Sequence, residues 1–159
     1  MTTMTQPFDL NQFHESLDIP FPAATKQIAG TVKGIQTDVM SVGFSDKILV
    51  TISQKGRLNH WLHVPLENRN PGTDGLHTIS EATDDSLLPI TNLTATTLLG
   101  GHAPGQDIIG QLYARQIASA IATKSPGEKR LLVVGLGLET TDVDQDAFFD
   151  IIDLALQCI

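Results

Sequence analysis

The sequence predicts an α+β fold: a six-stranded, mostly antiparallel β-sheet, built as an N-terminal four-strand meander followed by β-α-β-α, packed with two amphipathic helices. Three observations predict it. From Lys26 to Pro65 apolar and polar residues alternate, and the pattern breaks at Lys33-Gly34, Ser45-Asp46 and Lys55-Gly56, the spacing of strands joined by tight turns. The stretch "GQDIIGQLYARQIASAIATK", residues 105–124, repeats its apolar side chains at helical spacing. The stretch "KRLLVVGLGL", residues 129–138, is apolar on both faces, as expected of a central strand covered on both sides.

Each element follows in order. Residues 1–24 are polar, carry Phe8, Phe13 and Phe21 among three prolines, and read as a flexible tail that docks through its aromatics; "LNQFHESL" within it has room for a short helical turn. Residues 25–159 read as a single domain. Its first strand is "QIAGTV". "QTDVMSVGF" is the second, with Met40, Val42 and Phe44 on one face. "KILVTISQ" is the third, with Ile48, Val50 and Ile52 on one face and Leu49 and Thr51 on the other. "RLNHWLHV" is the fourth, ended by Pro65. Residues 66–90, rich in Asn, Gly, Asp, Ser, Thr and Pro, form a long surface loop. "TNLTATTLL" is a fifth strand, closed by Gly100-Gly101. In the helix after it, Ile108, Ile109, Leu112, Ile117, Ala120 and Ile121 cluster on one side. The final helix takes Asp142 as its cap, with Gln145 three residues on, and turns Phe148, Ile151, Ile152 and Ala155 inward.

The net charge of −8, from 10 basic and 18 acidic residues, argues against nucleic acid and anionic membranes as partners, since both attract basic patches. One cysteine, Cys158, allows no intrachain disulfide, and no signal peptide is visible, so the expected compartment is the cytosol, or the nucleus as well.

The chemical inventory is short. "LLVVGLGLETTD" looks like a nucleotide-binding turn, but Thr140 stands where the third glycine is needed, and no second half of a dinucleotide unit follows. Gly135 and Gly137 are then expected to let a helix approach the sheet. "LLGGHAPGQD" lacks the Gly-Lys-Ser/Thr ending of a phosphate loop, and His102 in it reads as a loop histidine. His60 and His63 are an odd distance apart on a strand, so they point to opposite faces and do not share a metal. Cys158 reads as a core residue, and no serine sits in a nucleophile elbow. No catalytic residue, cofactor or metal is expected. That emptiness points to a binding protein. Leu62 and Val64 join the core, which puts Trp61 and His63 on the other face, and a lone tryptophan there suits an interface. Asp84 and Asp85 in the loop are candidates for meeting basic groups on a partner. Two other readings are a small-molecule or nucleotide-binding α+β domain and a dimerising scaffold of the trafficking type.

The stretch "TDVMSVGFSDKILVTISQKGRLNHWLHVPLE" resembles the proteasome assembly chaperone 3 family. Thr37, Val39, Phe44-Ser45, Ile48-Leu49-Val50, Gln54 and Gly56 carry the likeness. "TTLLGG", the amphipathic helix, "LLVVGLGL" and the last helix follow in the family's order, so the resemblance runs from about residue 26 to the end. The tail before Thr25 and the loop over 66–90 are longer than the family's, which suggests a divergent, fungal-like member. The resemblance implies a non-enzymatic chaperone that pairs with a sister, assembly chaperone 4, or with itself. It implies that the pair binds α-type subunits of the 20S proteasome, the fifth in particular, promotes α-ring assembly and leaves before the particle is complete.

Overall fold

The structure, a computed structural model, describes residues 23–67, 93–139 and 144–159. The expected tail up to residue 22, and the expected loop from residue 68, lie outside the described residues. Among the described residues six strands and two helices follow one another as β1 (Ala24–Val32), β2 (Ile35–Gly43), β3 (Lys47–Gln54), β4 (His60–Pro65), β5 (Thr96–Leu99), α1 (Gln106–Lys124), β6 (Leu131–Gly137) and α2 (Gln145–Cys158). All six strands join one mixed, mostly antiparallel sheet, in the order β1-β2-β3-β6-β4-β5.

β1 and β2 are joined by Lys33-Gly34, both at positive φ (50° and 79°), the two-residue turn whose twist matches a hairpin. Between Phe44 and Lys47 the chain turns back into β3, closed by a bond from Phe44 N–H to the Lys47 carbonyl at 2.8 Å.

The expected meander holds for three strands only. β3 pairs with β6 in parallel, and β4 pairs with the far side of β6, antiparallel. After the Lys55-Gly56 turn the chain therefore crosses the C-terminal end of β6 before β4 begins. Asn59 N–H reaches the Leu136 carbonyl at 2.9 Å during that crossing. Gly137 makes room for it: a Cβ there would lie 1.6 Å from the Arg57 carbonyl oxygen. The expectation that this glycine serves helix packing is corrected; it lets one backbone pass over another.

Both helices pack on one face of the sheet. Val39, Val50, Ile52, Leu62, Val64, Leu132 and Val134 on that face are fully buried. α1 turns Ile109, Tyr113, Ile117 and Ile121 inward, while Ile108 is 74% exposed and Leu112 38%. Ile109, Ile117 and Ile121 of the expected stripe are buried, but its centre is shifted: Ile108 and Ile109 are about 100° apart on a helix, and the buried face runs from Ile109 toward Gly110, Ala114, Ala118 and Ala122, away from Ile108 and Leu112. α2 buries Ile151, Ile152 and Ala155, with Phe148 packed against the core. Phe148 and Tyr113 stack with centroids 4.7 Å apart and join the helices. The cap of α2 is Asp144, which accepts from Asp146 N–H at 3.1 Å, rather than Asp142, which lies outside the described residues. Cys158 is buried as expected, its thiol donating to the Val39 carbonyl at 3.5 Å. Leu66, Leu93 and Ala95 are also buried, so the two described ends of the long connection dip into the core.

Candidate functional site

The second face of the sheet carries neither described helix. Cross-strand register puts its side chains in two rows: Met40, Thr51, Gly135 and Trp61 in one, and Val42, Leu49, Val133, His63 and Thr96 in the other. Met40, Leu49, Val133, Trp61 and His63 are half-buried. Leu98 alternates with the inward Thr97 and is 54% exposed. Asp38 and Lys47 are the Asp, Glu, Lys or Arg residues of the described face, both toward its rim, so none stands in its middle.

Two of the four sequence-predicted partner residues, Trp61 and His63, stand on this face together. Asp84 and Asp85 lie outside the described residues. The Trp61 ring leans across the gap in its own row: a Cβ on Gly135 would meet it at 2.8 Å. Gly135 thus seats a tryptophan, not a helix, which corrects the expected role. β6 is central as expected, but the described helices cover one of its faces. Sequence reasoning missed Met40, Leu49, Val133 and Leu98 as members of the face. The signal was the apolar character of strands β3 and β6 on both sides.

His60 points the other way, as parity requires, and is 2% exposed. Its ring is wedged against α1, where a Cβ on Gly110 would lie 2.1 Å from Cε1. Nε2 is 3.3 Å from Thr97 Oγ1 and 3.7 Å from Asp107 Oδ1. The Thr97 hydroxyl donates its one proton to Asp107, so the neutral ring must donate from Nε2–H to Thr97. That arrangement cannot activate Thr97: the nitrogen facing the hydroxyl already carries a proton, and the carboxylate holds the hydroxyl rather than the imidazole. The cluster instead fastens β4, β5 and the start of α1. Among the described residues no group of three or more His, Cys, Asp or Glu could hold a metal ion, and no described helix is long and apolar enough to cross a membrane.

Burial pushes the His60 pKa below its ordinary 6.5, with Asp107 opposing and His102 adding to the shift. Below pH 6.5 the unfolded chain takes up a proton that the folded chain refuses. Stability is therefore complete above that value and falls as pH drops toward the lowered folded pKa, by up to about 1.4 kcal/mol per pH unit. The depressed carboxylate of Glu128, held at about 2 by Arg130, acts only below its unfolded value of 4.5, so the slope between pH 6.5 and 4.5 is free of it. Denaturant unfolding at pH values on either side of 6.5 should show this slope, and His60→Gln should flatten it. A slope unchanged in the variant would place its origin elsewhere.

No family model matches the chain, and no curated protein sequence matches it. Among solved structures it is similar to a chain of the crystal structure of a novel chaperone complex for yeast 20S proteasome assembly. The TM-score is 0.53 and the identity 17%, over 85% of this chain and 95% of that one. At that identity the likeness is one of fold.

Proposed function

We propose that this chain is an assembly chaperone of the 20S proteasome, working as half of a dimer with a sister chaperone or a second copy of itself. The pair holds α-type subunits, the fifth in particular, favours the correct neighbour as the α ring closes, and is then displaced. The observation that carries this reading is the likeness of nearly the whole chain to a chain of the yeast assembly complex. The open sheet face, with no Asp, Glu, Lys or Arg in its middle, supports the paired half of it. Two sheets stacked about 10 Å apart would bury Trp61, Val133 and Leu49 against a similar surface. On this reading the chain has no catalytic step and no cofactor, and works in the cytosol or nucleus by transient contact.

The net charge of −8 suits a client with basic groups at its contact. Affinity for α-type subunits should then weaken as salt rises past about 0.15 M, where the screening length is about 8 Å. Gentle pull-down of the tagged chain with mass spectrometry should recover α-type subunits and a sister chaperone. Recovery of neither would sink the proposal, and a saturable thermal shift with ATP or NAD would favour a nucleotide-binding domain instead.

A further inference from the structure

Among the described strands, β1 and β5 form the two edges of the sheet, and the two edges differ. β5 spans four residues and pairs with β4 through an irregular register. Short or kinked edges discourage pairing with another chain. β1 runs for nine residues in unbroken register with β2, with no proline and no bulge. Val32 and Ile35 flank the two-residue turn and form the first hydrogen-bonded pair of the hairpin. Alternation from that pair turns the backbone N–H and C=O groups of Thr25, Gln27, Ala29 and Thr31 away from β2, toward the edge. No described strand takes them up.

The chemistry beside this edge is acidic. Ile28, Gly30 and Val32 lie on the helix side of β1, and Gly30 lets α2 come close: a Cβ there would meet Leu154 Cδ2 at 2.9 Å. A depression of about 290 Å³ opens at this point, lined by Gly30, Thr31, Val32, Asp150, Asp153 and Leu154. Gln157 donates to Asp153 at 2.9 Å. Among the described residues no Lys, Arg or His stands within ion-pair distance of Asp150 or Asp153. Lys26, the cation of β1, donates to the Ile159 carbonyl at 3.1 Å. It lies four residues from Gly30, about 13 Å along the strand and beyond the screening length of about 8 Å. A strand laid against β1 would therefore place one helix-side residue opposite Gly30, where no side chain stands in its way and two carboxylates face it.

We propose that the β1 edge is a strand-addition site for an extended segment of a partner protein, with a lysine or arginine opposite Gly30 that reaches Asp150 and Asp153. Backbone pairing along Thr25, Gln27, Ala29 and Thr31 supplies the affinity, and the two acids set the register. A slip of one residue would turn the cation to the other face of the sheet. The net charge of −8 steers a basic segment toward the chain. The inference is independent of the proteasome reading and is tested on the full chain with a synthetic peptide. The probe is the end-capped peptide Thr-Thr-Lys-Thr-Val-Thr-Thr, whose lysine and valine stand two apart to face Gly30 and Ile28. NMR titration should give saturable shifts at the amides of Gln27, Ala29 and Thr31. Glutamate in place of the peptide lysine should weaken binding at least about tenfold, as should Asp150→Asn combined with Asp153→Asn. N-methylating the alternate peptide amides that face β1 should abolish binding, and methylating the other set should not. The absence of saturable shifts, indifference to the lysine-to-glutamate change, or equal effects of the two methylated sets would overturn the proposal. Concentration-dependent shifts of the same amides without peptide would also overturn it, by giving the edge to a second copy of the chain.

Discussion

Gly137→Ala is expected to cost about 3 kcal/mol or more, among the largest effects of any single substitution in this fold. A Cβ at that position meets the Arg57 carbonyl oxygen at 1.6 Å, and the obstacle is backbone that cannot rotate away. Relief requires lifting the crossing segment off the end of β6. That movement breaks the Asn59-to-Leu136 hydrogen bond and disturbs the start of β4. For a chain of this size the melting temperature should fall by roughly 6–12 °C. Gly135→Ala, two residues earlier on the same strand, is the control. Its obstacle is the far edge of the Trp61 ring on an open face, which can swing outward at a cost of about 1 kcal/mol. Thermal or denaturant unfolding of both variants decides the matter. Equal losses would mean that the crossing over Gly137 is not the constraint described.

Val133→Lys is expected to separate the proposed dimer while leaving each chain folded. Val133 sits in the middle of the open face, between Leu49 and His63 in its row. In a free chain a lysine there reaches water along its flexible stem and changes stability by less than about 1 kcal/mol. Sealed between two sheets, the same ammonium is buried without a partner, a loss of about 3 kcal/mol or more, or over 100-fold in the dissociation constant. Thr31→Lys, at the rim of the same face, should leave association within a few-fold. Sedimentation across a concentration series reads both. A dimer that survives Val133→Lys would remove the open face from the interface.

Much of the fold was legible because its signals are local. Two-residue periodicity placed Ile48, Val50 and Ile52 together on one face and Leu62 and Val64 on the core side, and the same parity separated His60 from His63. The turns at Lys33-Gly34 and Lys55-Gly56 were marked by residue type. Strand order was not legible. Alternation says which face a residue takes and nothing of which strand lies beside it, so the insertion of β6 between β3 and β4 left no mark in either neighbour. The glycines misled for the same reason: their meaning lay in Arg57 and Trp61, far away in sequence. The α1 stripe failed on a finer point, since Ile108 and Ile109 both suit an apolar face and packing alone selects between them. Of the candidate site, Trp61 and His63 were visible through the partition of their strand. The apolar rows around them emerged only once four strands were set side by side.

The placement of β6 also governs the order in which the molecule can be made. As the chain emerges, β1, β2 and β3 can pair at once through short-range contacts. β4 cannot join them, because its neighbour in the sheet is synthesised only after β5 and α1. Until then β3 shows a bare edge, and β4 has β5 alone to pair with. Long-range closure of this kind slows folding and exposes strand edges to wrong partners. The chain would then pass through a vulnerable interval at birth, ended when one late strand slides between two early ones.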